Sequence, residues 1–149
     1  MKILGINFSS NLDWVSHVNS AINKANSMIY ALRYLNARIS RERLTSIIQA
    51  HFISKLTYAS QVWSGSLSSC LKKKLESCYF KILRLLCRDN KGKMHRNDLI
   101  AASGLKSLRS LLVARDARLL HTLCTTLHPE PLVERLLSQC FYHSRNENK

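Results

Sequence analysis

The feature that most limits what this chain can fold into is the stretch from Ser40 to Trp63, SRERLTSIIQAHFISKLTYASQVW. Wound at 3.6 residues per turn, it brings Leu44, Ile48, Phe52, Leu56, Ala59, Val62 and Trp63 onto one broad apolar face. Ser40 is an N-cap candidate, Glu42 places a negative charge in the first turn, and Ser64-Gly65-Ser66 ends the helix. A face that broad needs neighbours on both sides, so the stretch is expected to be the central helix of an all-helical domain. His51 and Lys55 project into the middle of that face, where a simple amphipathic helix has no reason to place them.

Neighbouring segments supply further helices. Trp14, Val18, Ile22, Ala25, Ile29 and Leu32 recur at steps of three and four, opposite a neutral face of Ser16, Asn19, Asn23 and Ser27, and Asp13 is placed to cap them. A third helix, from near Leu67 to about Cys87, carries Leu71, Leu75, Cys78, Ile82, Leu85 and Leu86. Asn97 can cap a short helix, Asp98 to Ser103, with Gly104 as its C′ residue. A long helix then carries Leu105, Leu108, Leu112, Leu119, Leu123 and Leu127 until Pro129, and Pro131 opens a last short one through Leu137. Before all of these, Leu4, Ile6 and Phe8 alternate with Ile3, Gly5 and Asn7, which predicts one short strand, and a strand needs a partner that the chain does not obviously supply. The expected fold is mainly α, a bundle of about five to six helices with one short N-terminal strand.

Charge narrows the partners. The chain has 149 residues, enough for one core, with 23 Lys and Arg against 9 Asp and Glu, a net +14. Such a balance points to a polyanion, nucleic acid before an acidic membrane surface. No apolar run is long enough to span a bilayer, and MKILGINFSS lacks the apolar core of a signal peptide. Five cysteines without a C-x-x-C pair read as small buried thiols of a reducing compartment, cytosolic or nuclear.

The charge is also concentrated. Ser66 to Arg96 holds nine basic residues against Glu76 and Asp89, half of the net charge in about a fifth of the chain. On the third helix Lys73, Lys74, Lys81, Arg84 and Arg88 fall within an arc of about 100°, and Lys91, Lys93 and Arg96 continue the sign in the loop beyond. A run of cations on a helix is commonly a solvated face. Here only Glu76 lies near enough to balance it, so these eight residues are the candidate nucleic-acid contacts.

Catalytic groups are scarce. There is no G-x-S-x-G, Gly-rich phosphate loop, D-x-D or paired Asp-Asp, and the acids are scattered singly. His121, Cys124, His128, Cys140 and His143 are residue types that zinc accepts, but without C-x-x-C spacing they read as ordinary His and Cys, and no metal or other cofactor is expected. Asp116 interrupts the leucine stripe of the long helix as Lys55 interrupts the central one, so the two are expected to meet as a structural pair.

Read in order, K-I-L-G-I-N-F, L-D-W-V-S-H-V, K-A, S-K-L-T-Y-A-S-Q-V-W and a leucine-rich helix with L-R-L-L resemble the C-terminal part of the reverse transcriptases of jockey-like non-LTR retrotransposons. The resemblance runs from Lys2 to about Leu127. It implies that Leu4, Gly5 and Ile6 belong to the primer-grip strand closing the palm, that Gly5 permits close backbone approach, and that the helices after it are the thumb holding template–primer. On that reading residues 1–13 are a palm remnant, 14–140 a helical thumb-like domain and 141–149 a polar tail. The aromatic-Ala-Asp-Asp motif, the fingers, the rest of the palm and the cysteine-rich knuckle of some relatives are missing, so no polymerase activity is expected of the chain alone. The implied partners are an RNA–DNA hybrid or duplex and the missing palm and fingers, with no membrane. Two readings remain beside it: a protein-docking module using the exposed strand and an apolar surface, with the charge serving solubility, and an inactive degenerate fragment.

Overall fold

The strand predicted at the N-terminus folds back on itself. In the computed structural model, which describes residues 1–126 apart from 12 and 90, together with 130, 131 and 134, β1 (Lys2–Ile3) pairs antiparallel with β2 (Ile6–Asn7), Lys2 opposite Asn7 and Ile3 opposite Ile6. Leu4 and Gly5 form the two-residue turn, both at positive φ, 47° and 83°, as a tight hairpin of matching twist requires. Phe8 N–H donates to Met1 O at 2.7 Å and the terminal amine donates to Phe8 O at 2.9 Å. The expectation of a strand left without a partner is therefore corrected. Its alternating pattern ran through Leu4-Gly5 without a break and concealed the turn.

Helix α1 (Val15–Asn36) buries Val18, Ala25, Ile29 and Leu32 as its periodicity predicts, and His17 with them. Asp13 Oδ1 accepts the Val15 N–H at 3.1 Å, while Trp14 takes the backbone cap position in the left-handed region. α1 packs most extensively on α5 (Ser69–Leu86), whose first turn is capped by Ser68 Oγ accepting from Leu71 N–H. The two helices run the same way along their seam. Midway along it Cys78 Sγ–H donates to Asn26, and at the far end Asn36 Nδ2–H donates to Leu85 O at 3.1 Å.

The central stretch is not one helix. α2 (Arg41–Ile47), capped by Ser40 Oγ accepting from Arg43 N–H, passes into a widened π-type turn over Ile48–Ile53 and then into α3 (Ser54–Leu56). The chain breaks at Thr57–Ala59, where Ala59 sits at φ 48°, and resumes as α4 (Ser60–Trp63). The buried residues Leu44, Ile48, Phe52, Leu56 and Ser60 explain why. A four-residue step in an α-helix advances about 400°, drifting about 40° round the axis each time. Widening the turn keeps such a row facing one core, and the break completes the correction. The same adjustment leaves His51 and Lys55 exposed, which corrects the expectation that they interrupt a buried face.

Leu44, Ile48, Phe52, Leu56 and Trp63 meet Leu71, Leu75, Tyr79, Ile82 and Leu83 of α5 in one core. α6 (Arg96–Ser103) adds Leu99 and ends on Gly104 at φ 70°; its cap position is His95, two residues before the predicted Asn97. Tyr79 O–H donates to Lys106 O, holding the loop before α7 (Leu108–Thr126), and burial pushes the Tyr79 phenol up to about 12.

Chain contacts divide the molecule into two units, residues 1–112 and 113–149. The first holds the core just described. In the second, Val113, Leu119 and Leu120 of α7 are exposed and Leu123 is buried; Leu127 and the short helix predicted after Pro131 fall largely outside the described residues. Four described cysteines are free thiols, and Cys70 and Cys124 are exposed, which corrects the expectation of buried ones.

Candidate nucleic-acid interface

The last turn of α1, the last two turns of α5 and the loop beyond them enclose an open basin of about 980 Å³. Arg33, Lys81, Arg84, Arg88 and Lys91 line it, with Asn36, Ala37, Leu85, Asp89 and Gly92 between them. Asn36 ties its floor: its amide donates to Leu85 O, and its own carbonyl accepts from Arg88 Nη2 at 3.4 Å. The acid on the rim is already engaged, because Asp89 carboxylate oxygens accept the Lys93 and Met94 N–H groups at 3.0 and 3.1 Å. Two helix C-termini converge on the basin, each worth about half a negative charge. With Asp89 these offset about two of the five cations and leave a surplus of about three positive charges.

Two details of α5 sharpen the site. Arg84 lines the basin, and its Nε–H is buried with no acceptor among the described residues. Helix α5 ends in a Schellman motif: Asp89 N–H donates to Arg84 O at 2.9 Å and Arg88 N–H to Leu85 O at 3.2 Å. The left-handed C′ position of that motif, normally glycine, is Arg88 at φ 55°.

The basin continues along the α1–α5 seam as a groove of about 500 Å³ lined by Asn19, Ile22, Cys70, Lys73, Lys74, Ser77, Cys78 and Lys81. Lys81 lines both, so Lys73, Lys74, Lys81, Arg84, Arg88 and Lys91 follow one seam. Burial raises the Cys78 thiol pKa against the opposing pull of Lys81, keeping it protonated beside the cations. Lys93 contributes a backbone donor to Asp89 and is exposed. Arg96 turns to the other flank of α5, where it pairs with Glu76 at 3.8 Å and lies over the Phe80 ring at 5.0 Å. Arg33 escaped sequence reasoning because it belongs to α1, and no periodicity links it to cations some fifty residues further along the chain.

The other sequence-picked residues lie at the hairpin. Leu4 and Gly5 are its turn and Ile6 is buried at the start of β2. A Cβ on Gly5 would meet the Tyr58 ring at an ordinary 3.8 Å, so glycine is needed there for its positive φ rather than for close approach. Tyr58 O–H donates to Leu4 O at 3.0 Å, His17 Nδ1 accepts Asn7 N–H at 3.4 Å, and the His17 ring lies 5.7 Å from that of Trp63. Burial first, and Lys24 second, lower the His17 pKa from its ordinary 6.5. Residues from K-I-L-G-I-N-F, L-D-W-V-S-H-V and L-T-Y-A-S-Q-V-W, spread over some sixty positions, thus meet in one cluster. Lys55 is exposed on a groove beside this cluster with Lys24, so the desolvation argument for a partner at Asp116 does not apply; Asp116 is half-buried on α7.

Among the described residues no three His, Cys, Asp or Glu side chains come together as metal ligands, and no helix is long and apolar enough to cross a membrane. His121 and Cys124 are exposed, while His128, Cys140 and His143 lie outside the described residues. Comparison with known proteins finds no match: no family model, no curated protein and no solved structure.

Proposed function

We propose that this chain is a thumb-like, non-catalytic part of a retroelement RNA-directed DNA polymerase, holding template–primer duplex by its phosphates. The observation that carries the reading is the seam between α1 and α5, where five cations face one open basin and its acid is committed to backbone donors. Phosphate contacts carry no base code, so binding is expected to depend on salt and scarcely on sequence. The meeting of Leu4, Asn7, His17, Tyr58 and Trp63 supports treating the strings of the resemblance as one structural motif. The docking alternative rests on the exposed strand and apolar surface; the hairpin pairs that strand on one edge, and Ile3 and Leu4 remain exposed.

Equilibrium binding of an RNA–DNA hybrid across a salt series tests this. If about five phosphates are neutralised, log affinity falls against log salt with a slope of about −4 to −5. Changing Lys81, Arg84 and Arg88 together to Gln should flatten the slope by about two to three units. The same loss of charge at Arg43, Lys106 and Arg109, none of which lines the basin, should leave most of the affinity intact. Equal losses in both triple variants would reduce the effect to net charge and remove the site.

A further inference from the structure

Next to the basin, α1 carries two large aromatic rings that the fold leaves in water. Tyr30 is 69% and Tyr34 62% exposed, four residues apart on one helix face, with Cβ atoms therefore about 5–6 Å from each other. Each ring has a guanidinium over it: Arg33 lies 5.5 Å from the Tyr30 centroid and Arg38 lies 4.2 Å from that of Tyr34. We propose that the ridge Tyr30–Arg33–Tyr34–Arg38 is a stacking platform for unpaired bases, so that the preferred ligand is a duplex with a single-stranded extension. The inference rests on the reading that the adjoining basin holds phosphates.

Three features argue for it. Cation–π contact restrains each ring before any ligand arrives, reducing the ordering cost of binding. Arg33 belongs to both places, since it covers Tyr30 and lines the basin, so a strand leaving the basin meets the rings without crossing neutral surface. Only unpaired bases offer a free face to a ring, and every base has one, so the platform tolerates any sequence.

The test compares a blunt RNA–DNA hybrid with the same hybrid carrying a short single-stranded extension, by fluorescence anisotropy on the full chain. Wild type should bind the extended form about ten-fold tighter or better, since each stacked base contributes a factor of that order. Changing Tyr30 and Tyr34 together to Leu should abolish the preference at every salt concentration and leave blunt-hybrid affinity unchanged, which also reports that the variant is folded. Tyr30→Phe with Tyr34→Phe should retain the preference. The Lys81, Arg84, Arg88 triple variant should weaken both forms and flatten the salt slope. No preference in wild type, or a preference surviving the leucine changes, overturns the platform while blunt-hybrid binding leaves the basin standing. Ring-dependent binding of single strands with no affinity for the blunt hybrid would support the platform and sink the duplex reading. Binding of neither form sinks both.

Discussion

Ala59 and Arg88 hold the same uncommon backbone conformation beside a helix end, at φ 48° and 55°, and their surroundings differ. Around Ala59 the corner is closed. Thr57 O–H donates to Ile53 O at 2.7 Å, Trp63 Nε1–H donates to Tyr58 O at 3.0 Å, and Thr57, Ser60 and Trp63 are buried. Packing holds that strain, and the corner braces the hairpin through Tyr58. Around Arg88 little is closed. The side chain is exposed on an open basin and donates to Asn36 O at 3.4 Å. Helix α6 meets the same requirement without strain, using Gly104. Strain at the corner serves the fold, whereas strain at the end of α5 supplies a guanidinium on the rim of the proposed binding surface.

The largest expected effect separates the corner from the basin. Trp63→Ala removes a fully buried ring together with its bond to Tyr58 O, and should cost about 3–5 kcal/mol in denaturant unfolding. A loss under about 1 kcal/mol, the scale of an ordinary surface change, would show that the corner does not organise the core. Next comes a matched pair. Arg88→Gly and Ala59→Gly should each raise stability by about 0.5–1 kcal/mol by relieving the left-handed position. Arg88→Gly should weaken hybrid binding as well, and Ala59→Gly should leave it alone. Parallel binding losses in the two variants would erase the distinction.

The hairpin side of the comparison also depends on pH. Because the folded state lowers the His17 pKa below 6.5, the unfolded chain takes up a proton more readily than the folded one. Stability contributed by neutral His17 is therefore complete above about pH 6.5 and is lost as pH falls through the folded value. Protonation also removes the Nδ1 lone pair that accepts Asn7 N–H. The denaturation midpoint of wild type should fall between pH 7.5 and 5, and that of His17→Gln should fall less. Parallel curves would mean that His17 is not the titrating group.

Much of the helical frame was legible because its signals are local. The stripe of α1, the Ser40 cap, the run of α5 and the Gly104 stop all come from spacing or from one residue's chemistry. The breaks were not. Alanine and arginine carry no signal for positive φ, and Leu4-Gly5 kept the alternation of a strand through a turn. A row at every fourth residue looked like one helical face until its drift was absorbed by the widened turn and the corner. The cations of α5 were legible as an arc, but the proposed site is a seam, and its second wall depends on which helix packs beside the first.

That second wall gives the most direct test of the account, because Arg33 lies outside the α5 arc and enters only if α1 and α5 together form the basin. Single changes Arg33→Gln, Lys81→Gln and Arg43→Gln remove the same charge from the seam's α1 wall, its α5 wall and a surface position that does not line the basin. Hybrid affinity measured over a salt series should show Arg33→Gln matching Lys81→Gln, each reducing the slope by about one unit, with Arg43→Gln close to wild type. If Arg33→Gln behaves like Arg43→Gln while Lys81→Gln loses affinity, the seam is not the site.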